Sequence, residues 1–173
     1  MNYRISYYSP QGHAKELAYA FRQILPSRTP VTDLAAVTSE ACDIHLVGFE
    51  FPEPKFDNIP NQVQHFLSTL QHKEILLFAA CPVHADEKLR MQTERSMIPF
   101  LPKNCKYHGL FLCQGEVYLT VLEDLLRQAE ETPAGTDAKL LLREYRKSKG
   151  HPNREDIRKG RRFIADELQL NDL

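Results

Sequence analysis

The sequence predicts an α/β domain with a five-stranded parallel sheet between two layers of helices. Two observations carry this reading. Apolar runs of strand length alternate with longer amphipathic runs of helical period, in the order βαβαβαβαβα. Each of the first three helical runs also follows a strand, as a crossover between parallel strands requires.

The strand signals are Tyr3 to Tyr8, Ile44 to Gly48, Glu74 to Ala80 and Tyr107 to Cys113, with a short, weaker edge strand at Pro30-Val31-Thr32-Asp33. The first helix is expected from about His13 to Leu25, with Leu17, Ala18, Phe21, Ile24 and Leu25 on one face and Pro26 as its stop. A second runs from Asn61 to Leu70 through Val63, Phe66 and Leu67, and a third follows Ala85 toward Ile98. Val117 to Glu131 and Asp137 to Lys147 read as helices separated by Thr132-Pro133-Ala134-Gly135-Thr136. Asn153 then caps a closing helix that contains Ile157, Phe163, Ile164 and Leu168.

The length of 173 residues suits one domain, 1–173, with no linker or internal repeat. Hydrophobic residues make up 42% and charged residues 26%, a globular composition. A net charge of −1 provides no overall field toward nucleic acid or anionic lipid. No stretch approaches the roughly 18 apolar residues of a membrane span, and the N-terminus enters a strand without a signal-peptide core, so a cytoplasmic protein is expected. Cys42, Cys81, Cys105 and Cys113 lack Cys-x-x-Cys spacing and read as buried thiols. The seven histidines form no His-x-x-x-His pair, so no metal site is expected.

The sharpest chemical signal is the first strand-to-helix loop, Ser9-Pro10-Gln11-Gly12-His13-Ala14. Such a turn aims unpaired backbone N–H groups and the positive end of a helix dipole at one point, which suits a phosphate. Gly12 admits the anion closely, and the Ser9 hydroxyl adds a donor. The loop lacks the Gly-Lys-Ser/Thr of the mononucleotide P-loop and the three glycines of the dinucleotide fingerprint. Cys81, in the loop after a central strand, invites comparison with the nucleophile of a small tyrosine phosphatase. That signature needs an arginine six residues on, and position 87 is Glu.

These pieces together resemble the flavodoxin family over nearly the whole chain. Ser9 to Ala14 resembles its phosphate loop, Val47-Gly48-Phe49 the end of its third strand, Phe111-Leu112-Cys113-Gln114-Gly115-Glu116 its fifth-strand exit, and His151-Pro152-Asn153-Arg154-Glu155-Asp156 its final helix entrance. The resemblance implies a flavodoxin-like α/β/α sandwich of strand order 2-1-3-4-5, with a ligand at the switch between strands one and three. It also implies FMN. Ser9, Gln11, Gly12, His13 and Ala14 would hold its phosphate, Phe51 with Phe49 would cover one ring face, and Cys81, Pro82 and His84 would line the other edge. The flavin would supply the redox chemistry with no catalytic side chain, between two partner proteins, a reductase and an acceptor enzyme.

The chain departs from the family at the same loops. Ala79-Ala80-Cys81-Pro82-Val83-His84 replaces a glycine- and threonine-rich segment, no glycine follows Gly48 in the second loop, and Ala14 replaces a hydroxyl. Two other readings therefore stand beside FMN-dependent electron transfer. One is a flavodoxin-fold accessory or binding subunit that has lost FMN; the other is an FMN-dependent reductase with its own substrate.

Overall fold

A computed structural model of the chain describes residues 1–36, 42–51, 59–118, 122–123, 127 and 143–170. Five parallel strands run β1 (Tyr3–Tyr8), β2 (Val31–Asp33), β3 (Ile44–Glu50), β4 (Glu74–Cys81) and β5 (Lys106–Gln114), in the spatial order β2-β1-β3-β4-β5. The α-helices described from end to end are α1 (His13–Arg22), α2 (Asn61–Ser68), α3 (Glu87–Met97) and α4 (Arg154–Glu167). The expected fold, a five-stranded parallel sheet of order 2-1-3-4-5 with helices on both sides, is the one observed.

The strands β3, β4 and β5 extend one or two residues beyond their apolar cores, because backbone pairing continues where side-chain pattern ends. Helix α1 stops at Arg22 rather than Leu25, and Gln23 to Leu25 continue as a turn bonded to Ala20, Phe21 and Arg22. Of the helices expected over 117–131 and 137–147, Val117 and Tyr118 are irregular, while 122–123, 127 and 143–148 are helical; the rest lie outside the described residues. Phe56 and the loop around it also lie outside them.

Two apolar layers flank the sheet. On one face Ile5 and Tyr7 of β1, Leu46 of β3, Leu76 and Phe78 of β4 and Phe111 of β5 pack beneath Leu17, Phe21 and Ile164 of α1 and α4. Space here is so tight that a Cβ on Gly160 would stand 2.4 Å from the Phe21 ring. On the other face Val47, Phe49, Leu77 and Leu110 pack against Val63 and Leu67 of α2 and Met97 of α3. Asn153 caps α4 by accepting from the Glu155 and Asp156 N–H groups, and the Asp156 carboxylate accepts from the Asn153 N–H.

One crossover is short. The chain runs from β2 to β3 in residues 34–43, less than half the length of the connections 9–30, 51–73 and 82–105. That is below the dozen or more residues a helical crossover takes. The face of β1 opposite α1 carries Arg4, Ser6 and Tyr8, and Ser6 meets His45 of β3 there, whereas Val47 and Phe49 of β3 and Ile75, Leu77 and Ala79 of β4 on that side are apolar.

Candidate functional site

The carboxyl ends of β1, β3 and β4 meet where the strand order reverses, the crevice in which doubly wound sheets hold ligands. Gly12 stands at the N-terminus of α1 with φ 97°, and nothing lies within 4 Å of where a Cβ would point. The loop therefore has the glycine geometry that an anion cradle requires.

Its donors have an occupant from within the chain. Glu50, the last residue of β3 and only 1% exposed, turns its carboxylate into the loop. One oxygen accepts from the Ser9 hydroxyl and, at 2.7 Å, from the Ala14 N–H; the other accepts from the Gln11 N–H at 2.7 Å. The Lys15 N–H donates to the Ser9 oxygen at 2.9 Å, so the hydroxyl is oriented as a donor toward Glu50. Pro10 has no N–H to offer.

The exit of β5 closes the cradle from the other side. The His13 ring meets the Glu116 carbonyl at 2.9 Å through Nε2 and stacks parallel to Tyr118 at 5.5 Å. The Tyr118 hydroxyl donates to the Gln11 carbonyl, and the Gly115 N–H to the Cys81 carbonyl. Burial, followed by the charges of Glu116 and Glu50, holds the Tyr118 phenol above its ordinary range. The gap bounded by Gln11, His13, Glu50, Cys81 and Gly115 has no volume that a water molecule could enter.

Each residue expected at the site has a definite place. Ser9, Gln11, Gly12, His13 and Ala14 form the cradle, with His13 and Ala14 buried. Phe49 and Phe51 are 0% and 3% exposed, contact each other edge-to-face at 5.5 Å, and belong to the core beneath β3. The Cys81 thiol donates to the Val83 and Cys113 carbonyls, and burial pushes its pKa up to about 12, far from a reactive thiolate. Pro82 is half-buried and His84 exposed. Sequence reasoning passed over Glu50 as a loop residue. The available signal was a carboxylate at the switch-point end of a buried strand, directly beside the exit of β1.

The sequence model of the flavodoxin domain family matches residues 4–165 of the chain. The chain belongs to that family. Among curated proteins it is similar to the flavodoxin-like domain-containing protein BilS of Clostridium symbiosum, 25% identical over 183 residues that cover 97% of this chain and 96% of that one. Among solved structures it is similar to oxidised flavodoxin 2 of Bacillus cereus, with TM-score 0.53, 12% identity and coverage of 98% and 99% of the two chains. Oxidised flavodoxin 1 of Bacillus cereus gives TM-score 0.50 and 13% identity, over 76% of this chain and 96% of that chain.

Family and fold imply a flavin, FMN above all, with its phosphate on the first loop. The described residues do not fit that phosphate. Three of the loop's donors already serve a carboxylate, and the surrounding gap is closed. A phosphate about 4 Å from the carboxylate would meet roughly 4 kcal/mol of repulsion per unit charge at an effective dielectric near 20.

Proposed function

We propose that this chain is a flavodoxin-fold accessory or binding subunit, a single cytoplasmic domain over 1–173 that meets a redox partner protein without holding FMN. One observation carries the reading: the Glu50 carboxylate takes the Ser9, Gln11 and Ala14 donors that the phosphate would need. A carboxylate and a phosphate make the same demand on a cradle, namely convergent N–H and O–H donors. Glu50 meets that demand permanently, because it is tethered to β3 and loses little entropy on binding. The departures at Ala14 and at Cys81-Pro82-Val83-His84 point the same way.

FMN-dependent electron transfer is the second reading, favoured by family membership and by the left-handed Gly12, which keeps the cradle geometry intact. On that reading the chain works in oxidoreduction between a reductase and an acceptor enzyme, and FMN supplies the electron chemistry. Ser9, Gln11, Gly12, His13 and Ala14 would bind the phosphate after Glu50 withdraws.

Flavin content separates the two. Protein purified from the cytoplasm is denatured, its supernatant is assayed for FMN by mass spectrometry, and the refolded chain is titrated with FMN while tryptophan-free flavin fluorescence is followed. The expected result is no stoichiometric flavin and no saturable quenching at micromolar FMN. One FMN per chain would replace the first reading with the second.

A further inference from the structure

Positive charge is concentrated in one stretch of the chain. Residues 143–162 hold nine of its 22 basic residues and three of its 23 acidic ones, a surplus of six positive charges in a chain whose net charge is −1. Those three carboxylates already have partners. Glu144 is buried and receives Arg143 and Lys147 at 3.2 and 3.4 Å. Asp156 accepts from the Asn153 N–H and meets His151 Nδ1 at 2.6 Å, and Glu155 holds Arg158 at 2.7 Å with Lys159 at 3.9 Å. Arg161 donates to the Ala20 carbonyl and the Gln23 side chain, and Arg162 stands 3.9 Å from Asp166. Three cations remain. Arg146, Lys149 and Arg154 are exposed and share no ion pair among the described residues.

The stretch lies beside the crevice mouth. The Val117 N–H donates to Ser148 Oγ at 3.0 Å, the Glu116 N–H to the His151 carbonyl at 2.7 Å, and the Gly150 N–H to the Glu116 carboxylate at 3.0 Å. Glu116 in turn meets His13 of the cradle through its carbonyl. We propose that the surface carrying Arg146, Lys149 and Arg154, flanked by Arg143, Lys147 and Arg158, docks an acidic patch on a partner protein. Guanidinium forks match carboxylates in charge and geometry, and three cations without an internal carboxylate leave that capacity to a second molecule. The occupant is compact. Outside 143–162 the chain carries a surplus of seven negative charges, so a polyanion long enough to overrun the surface, such as a nucleic-acid duplex or an anionic membrane, meets repulsion that a local acidic patch avoids. The surface keeps this charge whether or not FMN is bound.

A fluorescein-labelled octaglutamate peptide tests the surface in the intact chain, with binding followed by fluorescence anisotropy at about 50 mM and about 300 mM salt. The expected result is saturable binding of one peptide per chain, weakened about tenfold or more at the higher salt. The triple variant Arg146→Glu, Lys149→Glu, Arg154→Glu should weaken binding about tenfold or more at the lower salt. Lys88→Glu, Arg95→Glu, Lys103→Glu reverses as many exposed cations on α3 and its connection to β5, and should stay within about threefold of wild type. Circular dichroism and melting temperature establish that each variant is folded. Should charge reversal disturb folding, Arg146→Gln, Lys149→Gln, Arg154→Gln removes the charge alone and should still lower affinity several-fold. A short DNA duplex and phosphatidylserine vesicles are titrated in parallel. Absence of saturable peptide binding, indifference to salt, equal losses in the two charge-reversed variants, or tighter binding of the duplex or the vesicles would overturn the proposal.

Discussion

Toward α1, β1 presents Tyr3, Ile5 and Tyr7 to a packed apolar layer; on its opposite face it presents the buried Arg4 and Ser6 and the half-buried Tyr8, with Ser6 bonded to His45. The backbone is the same strand, and side chains alternate across it with period two. The difference lies in what each face meets. Helix α1 follows β1 and lies on the first face, while toward the second the described part of the β2–β3 connection supplies one short 3-10 turn, Leu34–Ala36. Where a crossover helix covers a strand, apolar residues gain burial of about 25 cal/mol per Å². Where none does, polar residues persist and must satisfy one another, as Ser6 and His45 do.

The largest expected effect is on the packed face. Phe21 meets Phe78 edge-on at 5.2 Å and Phe111 at 5.9 Å and is wholly buried. Phe21→Ala should cost about 3 to 5 kcal/mol in urea unfolding. A cost under about 1 kcal/mol would mean that this layer repacks freely and that the contrast between faces is weak.

The next effect sits at the end of the neighbouring strand. Glu50→Ala leaves the Gln11 and Ala14 N–H groups and the Ser9 hydroxyl without their acceptor, which should cost about 2 to 3 kcal/mol. Inorganic phosphate should then raise the melting temperature of the variant, by mass action on a reopened cradle, and leave wild type unmoved. A variant as stable as wild type and indifferent to phosphate would show that the cradle's donors find other partners.

The smallest effect belongs to the polar face and depends on pH. His45 has a pKa of about 3 in the folded chain against about 6.5 unfolded, so between those values the unfolded state binds the extra proton. Stability should therefore fall as pH drops below about 6.5, by up to about 2 kcal/mol between pH 7 and pH 5. Among the described residues, the groups facing His45 are Ser6, Cys42, Phe66, Arg4 and Lys73, none of them a carboxylate that would favour the imidazolium. His45→Gln should flatten that part of the profile, as read from urea midpoints at each pH. An equal slope in wild type and variant would assign the acid sensitivity to other groups.

Much of the fold was legible because periodicity is a local property. Strand β4 needs only Ile75 to Ala79 to declare itself buried on both faces, and the edge strand β2 betrays its position by being short and weakly apolar. The first loop was legible too, since Gly12 between a strand and a helix predicts a left-handed turn, and φ is 97° there. Phe51 was harder: an aromatic just past a strand reads equally well as a ring for stacking or as core, and its contact with Phe49 puts it in the core.

By itself, the sequence determined the alternation of strands and helices, the cradle at Ser9 to Ala14, the capping of α4 by Asn153, and membership in a family whose fold follows from those patterns. Only the tertiary structure decided what the cradle holds and which polar side chains meet. Glu50 and Ser9 are 41 residues apart, and their meeting depends on β3 lying beside β1 in register, with Tyr8 opposite Phe49. The meeting of Ser6 with His45, 39 residues on, likewise depends on β1 lying beside β3. Both are consequences of long-range pairing, which local propensity does not encode.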